Sequence, residues 1–263
     1  RQVTNPNSTN IRLGGSFNYK ITNSLEAIFS GFFGAGNTVY TGSDRYSILD
    51  LKMGQYKLEL KHKNWSVRAY TTQERAGQSY NATIATRLFN EAWKPSSQWY
   101  TEYGQAYLGG MLNGMSSINA HNMARSAADV GRPAAGSAQF QRMYDSVRLR
   151  PISKGGGLLV DKTNLYAVEG QYNLSHLTGE WAEVLVGGNF RQFLLNSEGT
   201  LFADSTGKIP INEFGGYAQV SKGFANDLIK FTVSGRYDKN QNFKGRFTPR
   251  ATALLRIAKN NHL

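Results

Sequence analysis

The run from Leu228 to Asp238, LIKFTVSGRYD, separates completely at period two. Ile229, Phe231, Val233, Gly235 and Tyr237 fall on one face; Lys230, Thr232, Ser234, Arg236 and Asp238 fall on the other. Successive side chains of a strand point to opposite sides, so the run predicts a strand with one apolar and one polar face. Two readings fit such a ribbon: a half-buried soluble sheet, or a membrane barrel with lipid outside and water inside. The alternation recurs in Ile11 to Ile21, Leu25 to Val39, Ile48 to Lys61, Trp65 to Arg75, Asn164 to Leu174, Trp181 to Leu195, Ile211 to Lys222 and Arg246 to Ala258. Within Ile48 to Lys61 the apolar positions are first Leu49, Leu51 and Met53, then Tyr56, Leu58 and Leu60. The phase slips near Gly54, and a β-bulge at that glycine is expected.

From Ala76 to Leu159 the alternation stops. That stretch is rich in Ala, Met, Gln and Asn, with helix-like windows at 80–93, 98–112, 117–130 and 137–149. Pro95, Gly114, Gly131-Arg132-Pro133 and Pro151 separate them. The expected organisation is barrel strands over 1–75, a long, partly helical extracellular insert over 76–160, and barrel strands over 161–263. Connections at 22–24, 62–64, 176–179 and 224–227 are tight, while those at 40–47, 76–161, 196–210 and 239–245 are longer, in alternation. One end of the strand array then carries tight turns and the other long loops, as in up-and-down membrane barrels. A soluble sandwich has no reason to keep that asymmetry. The predicted fold is all-β: an antiparallel up-and-down transmembrane β-barrel segment of about nine strands. A soluble β-domain is the alternative.

Composition agrees with strands. Charged residues are 18%, aromatics 12%, and glycines number 28. No run approaches the ~18 apolar residues of a membrane-spanning helix. Cysteine is absent, which excludes disulfide scaffolds and thiolate metal sites. The net charge of +12 would suit a nucleic-acid or anionic-surface binder, or serve as general solubility charge, and no nucleic-acid partner is expected. The chain opens on Arg1 without a signal segment and stops at Asn261-His262-Leu263, just after a strand and a polar turn. It reads as an internal fragment, and an odd strand count agrees, since closed bacterial barrels have an even number.

The phrases DKTNLYAVEGQYNL (161–174), AEVLVGGNFRQF (182–193), INEFGGYAQVSK (211–222) and SGRYDKNQNFKGRFTPRATALLRI (234–257) resemble TonB-dependent outer-membrane receptors of Gram-negative bacteria. FNEAW (89–93) and AHNMARSAADVGRP (120–133) resemble the family's long insert, and FTPRATALL is the most specific phrase. The resemblance implies a larger barrel of roughly 22 strands closed by a plug domain. It implies outer-membrane lipid as surroundings and a TonB complex in the inner membrane as energy source. Neither plug nor TonB-contacting segment is in this sequence, and a surface lipoprotein is a further candidate partner. A passive porin-like or adhesion barrel is the alternative.

Arg12, Arg68, Arg191, Lys230, Arg236, Arg246, Arg250 and Arg256 all fall on the polar, lumen-facing phase. They form either an electropositive wall for an anionic cargo or partners for plug acids and for wall carboxylates such as Glu169, Glu183, Glu213 and Asp238. In the insert, Trp93, Trp99, Tyr100, Tyr103 and Tyr107 suit a ligand mouth, or a small core of the insert itself. The candidate substrate-binding set is these five aromatics with Arg191, Arg236, Arg246 and Arg250. Tyr19, Trp65, Tyr172 and Trp181 are assigned to an interfacial girdle. Asp238 to Asn242 echoes a calcium loop but has Phe243 for the sixth-place Gly and Pro249 for the closing Glu. Lys154-Gly155-Gly156-Gly157 has the wrong order for a phosphate loop and is expected to be a hinge. The four His have no ligand spacing. No catalytic cluster, metal site or cofactor is expected, and the chain is not read as an enzyme.

Overall fold

The computed structural model describes residues 3–179, 181–226, 228–258 and 261–262. The expectations for Arg1, Asp227, Leu263 and the turn at Lys259 and Asn260 lie outside the described residues. Nine long strands and two short ones form an antiparallel up-and-down sheet: β1 (Thr9–Lys20), β2 (Leu25–Thr41), β3 (Arg45–His62), β4 (Trp65–Arg75), β5 (Tyr80–Asn81), β6 (Asn164–Asn173), β7 (Glu183–Leu195), β8 (Ile209–Phe224), β9 (Ile229–Asn240), β10 (Arg246–Ala258) and β11 (Asn261–His262). Strand order follows the chain, with β4 beside β6 and β5 paired to β3. Among the described residues the sheet does not close on itself.

Register turns nine alternating strands into two continuous faces. Phe17, Phe29, Leu58, Ala69, Val168, Phe190 and Phe214 are successive cross-strand neighbours from β1 to β8. One residue along each strand, Ser16, Ser30, Lys57, Tyr70, Ala167, Arg191 and Glu213 form the parallel row on the other side. Among the described residues nothing covers the apolar row: Phe17 is 67% exposed, Phe29 52% and Phe214 53%. A face this wide and this apolar is unstable in water and stable in hydrocarbon.

Three local expectations need correction. The ladder runs unbroken through Gly54, which pairs with Phe33 on one side and Gln73 on the other. The irregularity lies earlier, where Leu49 and Asp50 oppose the single residue Asn37, with Asp50 at φ 56°. Asn37 Oδ1 accepts from the Asp50 amide at 2.7 Å and holds this bulge. Leu51 and Met53 therefore do not change phase with a bulge; they belong to the otherwise polar face. Secondly, β2 and β3 extend so far that only 42–44 connect them, fastened by Gly42 N–H to Asp44 O at 2.9 Å. The connection at 174–182 is in turn longer than expected and contains a helical turn, Ser175–Thr178. The long-loop end is long chiefly at 76–163 and 196–208. Thirdly, the glycines at 155–157 are a packed knot, not a hinge. A Cβ at Gly156 would strike the Arg150 carbonyl, and Gly157 donates to Val147 O and accepts from Asn81 N–H.

Four helices follow β5: α1 (Ala82–Trp93), α2 (Ser96–Leu112), α3 (Ser117–Ala128) and α4 (Ala138–Arg148). Asn81 caps α1 by accepting from Ile84 N–H at 3.0 Å, and Ser137 caps α4 by accepting from Phe140 N–H at 3.1 Å. Ala82, Ala85 and Phe89 of α1 pack on Phe140, Tyr144 and Val147 of α4, a buried core joined by Tyr80. The spacing on each helix is that of a single apolar stripe. Between α2 and α3 the packing is by small residues, with Ala120, Ala124 and Ala128 fully buried and Gly110 against them. The base of this segment is zipped beyond β4 and β6 by Ala76 N–H to Asp161 O at 2.9 Å and Leu159 N–H to Ser79 O at 2.8 Å.

Candidate functional site

Two regions carry the candidate residues. The first is the polar face over β4, β6, β7, β8 and β9. Here register places Arg68 directly opposite Glu169, and Arg191 one diagonal away. Glu169 Oε2 accepts from Arg68 Nη2 at 2.5 Å, while Oε1 accepts from Arg191 Nη2 at 3.1 Å and from Tyr70 O–H at 2.9 Å. Two strands on, Arg236 donates from Nε and Nη2 to both oxygens of Asp238, at 2.7 and 2.6 Å, and from Nη2 to Asn189 Oδ1 at 2.7 Å. Lys230 pairs with Glu183 at 2.6 Å. Of these groups Arg68, Glu169, Asn189, Arg191 and Arg236 line a concavity of about 350 Å³ that also includes Glu59, Gln171 and Tyr217.

The two sequence readings of the arginines thus divide along the sheet. Arg68, Arg191, Lys230 and Arg236 are paired with wall carboxylates. Arg12, Arg246, Arg250 and Arg256 make no ion pair among the described residues. Arg246 and Arg250 lie on β10, outside the concavity that holds Arg191 and Arg236. Glu169 shared between two guanidiniums leaves the cluster one positive charge in excess, and Arg191 Nε is buried without a partner. An anion or carbonyl oxygen is the chemistry such a surface accepts.

The second region is the α2–α3 hairpin. None of the five candidate aromatics joins the buried core, which is built from Tyr80, Phe89, Phe140 and Tyr144 instead. Trp99 and Tyr103 stack at 5.1 Å, and His121 of α3 stacks against Tyr107 at 4.3 Å and hydrogen-bonds the Tyr103 hydroxyl at 2.6 Å. The Trp99 indole N–H donates to Asp129 Oδ1 at 2.9 Å, and Arg125 donates to Asp129 Oδ2 at 2.8 Å. Burial alone would raise the Asp129 carboxyl, but Arg125 and the Trp99 N–H more than offset it and hold the group below the usual carboxylate range. Trp93 lies under two cations, Lys94 at 5.1 Å and Arg132 at 5.7 Å. Trp93, Trp99 and the exposed Tyr100 share a cleft of about 220 Å³ with Arg125, Asp129 and Arg132; Tyr103 and Tyr107 stand outside it. His121, Arg125 and Asp129 were not singled out from the sequence for this role. Their spacing, four residues apart along α3, is the signal that marks one helix face.

Tyr19, Trp65, Tyr172 and Trp181 all sit at the tight-turn end, where Trp65 and Tyr172 are direct cross-strand partners. Among the described residues no group of three His, Asp or Glu could hold a metal ion.

The uncovered apolar face, the continuous polar face and the up-and-down order define the class: the wall of an outer-membrane β-barrel. The siderophore receptor PirA from Acinetobacter baumannii has this fold, with a TM-score of 0.55 and 9% identity over 98% of this chain and 33% of that one. The chain therefore spans about a third of that receptor. The alcaligin receptor FauA from Bordetella pertussis matches with a TM-score of 0.44 and 11% identity, over 96% of this chain and 34% of that one. OccAB3 from Acinetobacter baumannii matches with a TM-score of 0.38 and 9% identity, over 94% and 49%. No protein-family model and no curated protein matches the chain.

Proposed function

We propose that this chain is part of a TonB-dependent receptor that binds a scarce cargo at the outer membrane and imports it with inner-membrane energy. The observation that carries the reading is the pair of faces: nine long strands present uncovered Phe, Leu and Val to one side and hydrogen-bonding groups to the other. Only a wall between lipid and a wet lumen needs both at once. The resemblance of FTPRATALL and its neighbouring phrases, and the fold shared with PirA, support the receptor class over other barrels.

In this reading residues 76–160 form an extracellular insert, and cargo meets Trp93, Trp99, Tyr100, Tyr103 and Tyr107 there before the lumen wall at Arg191, Arg236, Arg246 and Arg250. Arg191 and Arg236 contribute through the concavity they line, and Arg246 and Arg250 offer whole guanidiniums. A plug domain and the TonB complex are the partners required, and a surface lipoprotein is a further one. No bond is made or broken in the cargo, so the chain is a binder and conductor, not an enzyme.

Two measurements on the protein carrying this chain test the proposal. Fractionation is expected to place it in the outer membrane; recovery in the soluble cytosolic fraction would remove every barrel reading. The isolated carboxy-terminal domain of TonB is then expected to retain it on an affinity column. A protein that reaches the outer membrane and is not retained would be a passive barrel.

A further inference from the structure

The polar face is not polar everywhere. Over β1, β2 and β3, toward the end that carries the insert, Phe32, Ile48, Leu51 and Met53 all face the side occupied elsewhere by Ser, Lys, Arg and Glu. The bulge at Asp50 is what admits both Ile48 and Leu51 to this side, because their odd spacing would otherwise put them on opposite faces. Gly14, Gly34 and Gly36 form the floor, and the Phe32 ring lies over Gly14, where a Cβ would collide with it. The result is a concavity of about 760 Å³. That volume and a mainly apolar lining with a few convergent polar groups are the usual properties of a small-molecule site. Its polar side chains include Asn10, Arg12, Thr38 and Gln55; Arg12 is the cation among the lining residues and makes no ion pair among the described residues.

We propose that this shelf is a subsite for an amphipathic organic anion, with a flat apolar group against Phe32 and Met53 and an acid group on Arg12. The proposal rests on the reading that this face lines the lumen. Lipid chains do not fit it, since they carry nothing for a lone guanidinium and the amides and hydroxyls around it. The cluster around Glu169 supplies the contrast: there every apolar position is replaced and most cations are already neutralised.

The test uses the protein carrying this chain in lipid nanodiscs, with 2-naphthoate as probe and 2-naphthalenemethanol as its neutral counterpart. Empty nanodiscs supply the correction for partitioning into lipid. Gly34→Leu raises the floor at a position with room for the added Cβ, whose nearest atom would be Ile11 O at 3.9 Å. Saturable naphthoate binding is expected, and Gly34→Leu should abolish it. Arg12→Gln should weaken naphthoate about tenfold and leave the alcohol unchanged. Naphthoate binding no greater than to empty nanodiscs, or unchanged in both variants, would overturn the proposal. So would binding that emerges only after segments outside this chain are removed, because the shelf would then be a packing surface. Retention by TonB and outer-membrane location are independent of both variants, so failure here leaves the receptor reading standing.

Discussion

The sheet and the helical segment it carries bury apolar groups in opposite senses. In the sheet, Phe17, Phe29, Leu58 and Phe247 stand outward with more than half their surface open. In the helices, Phe89 and Tyr144 are each 2% exposed and meet edge to face in the core. One chain uses the same residue types for both, so the difference cannot come from composition. It comes from the solvent each part meets. The helices make a water-soluble core of the ordinary kind. Between the two edges of the sheet the strands satisfy their backbone groups by pairing with each other and leave the outward side chains to lipid.

The largest way to test this difference is at Phe89, whose ring packs 4.8 Å from that of Phe140. Phe89→Ala should cost the α1–α4 unit about 3–5 kcal/mol through lost transfer energy and an unfilled cavity. Limited proteolysis should then cut within 76–160, while the heat-resistant migration of the folded barrel on gels stays unchanged. Loss of that migration would mean that the two parts are one cooperative unit and do not differ as described.

A smaller effect is expected on β9, where neighbouring residues face different solvents. Val233 is 60% exposed between Val220 and Ala251, and Thr232 bonds the Ser221 hydroxyl at 2.9 Å on the other face. For a position near the bilayer midplane, Val233→Arg should cost about 2–4 kcal/mol in refolding into lipid vesicles. Thr232→Arg, on the wet side, should cost less than about 1 kcal/mol. Equal costs would remove the assignment of faces. A water-exposed Val233 would behave like any surface residue, so the pair also separates a membrane wall from a soluble sheet.

How far the sequence could be read follows the same line. Period two exposes a strand between two solvents very clearly, and Trp65–Arg75 or Arg246–Ala258 could be bounded to the residue. What period two could not distinguish was a shift of phase from a change of chemistry on one face. Leu51 and Met53 looked like a slipped register because the wall was assumed to be polar throughout. The pairing of Arg68 with Glu169 was unreadable for another reason: the two lie 101 residues apart, and register across the intervening helices fixes their contact. The five insert aromatics were recognisable as a set. Their partners on α3 were not, because nothing local ties Trp99 to Asp129 or Tyr103 to His121 before the hairpin forms.

That hairpin offers the smallest and most local test. Asp129 holds the Trp99 indole and Arg125 together, and its carboxyl lies below the ordinary value of about 3.9 for the reasons given above. A carboxyl depressed in the folded state adds stability that is fully present above the unfolded value and is lost as pH falls through the folded one. The hairpin should therefore be indifferent to pH near neutrality and loosen only in acid, below about pH 4, with a change in Trp99 emission. Glu91 and Glu102 are also held low, by Ser96 and by Lys94, and titrate in the same window. Asp129→Asn separates them, because it keeps an acceptor for the indole N–H and discards the charge that Arg125 needs. The variant should show the loosened emission already at neutral pH and lack most of the acid transition. An unchanged transition would assign it to Glu91 or Glu102 and leave Asp129 a bystander, with the stack then held by the α2–α3 packing of Gly110 on Ala120 alone.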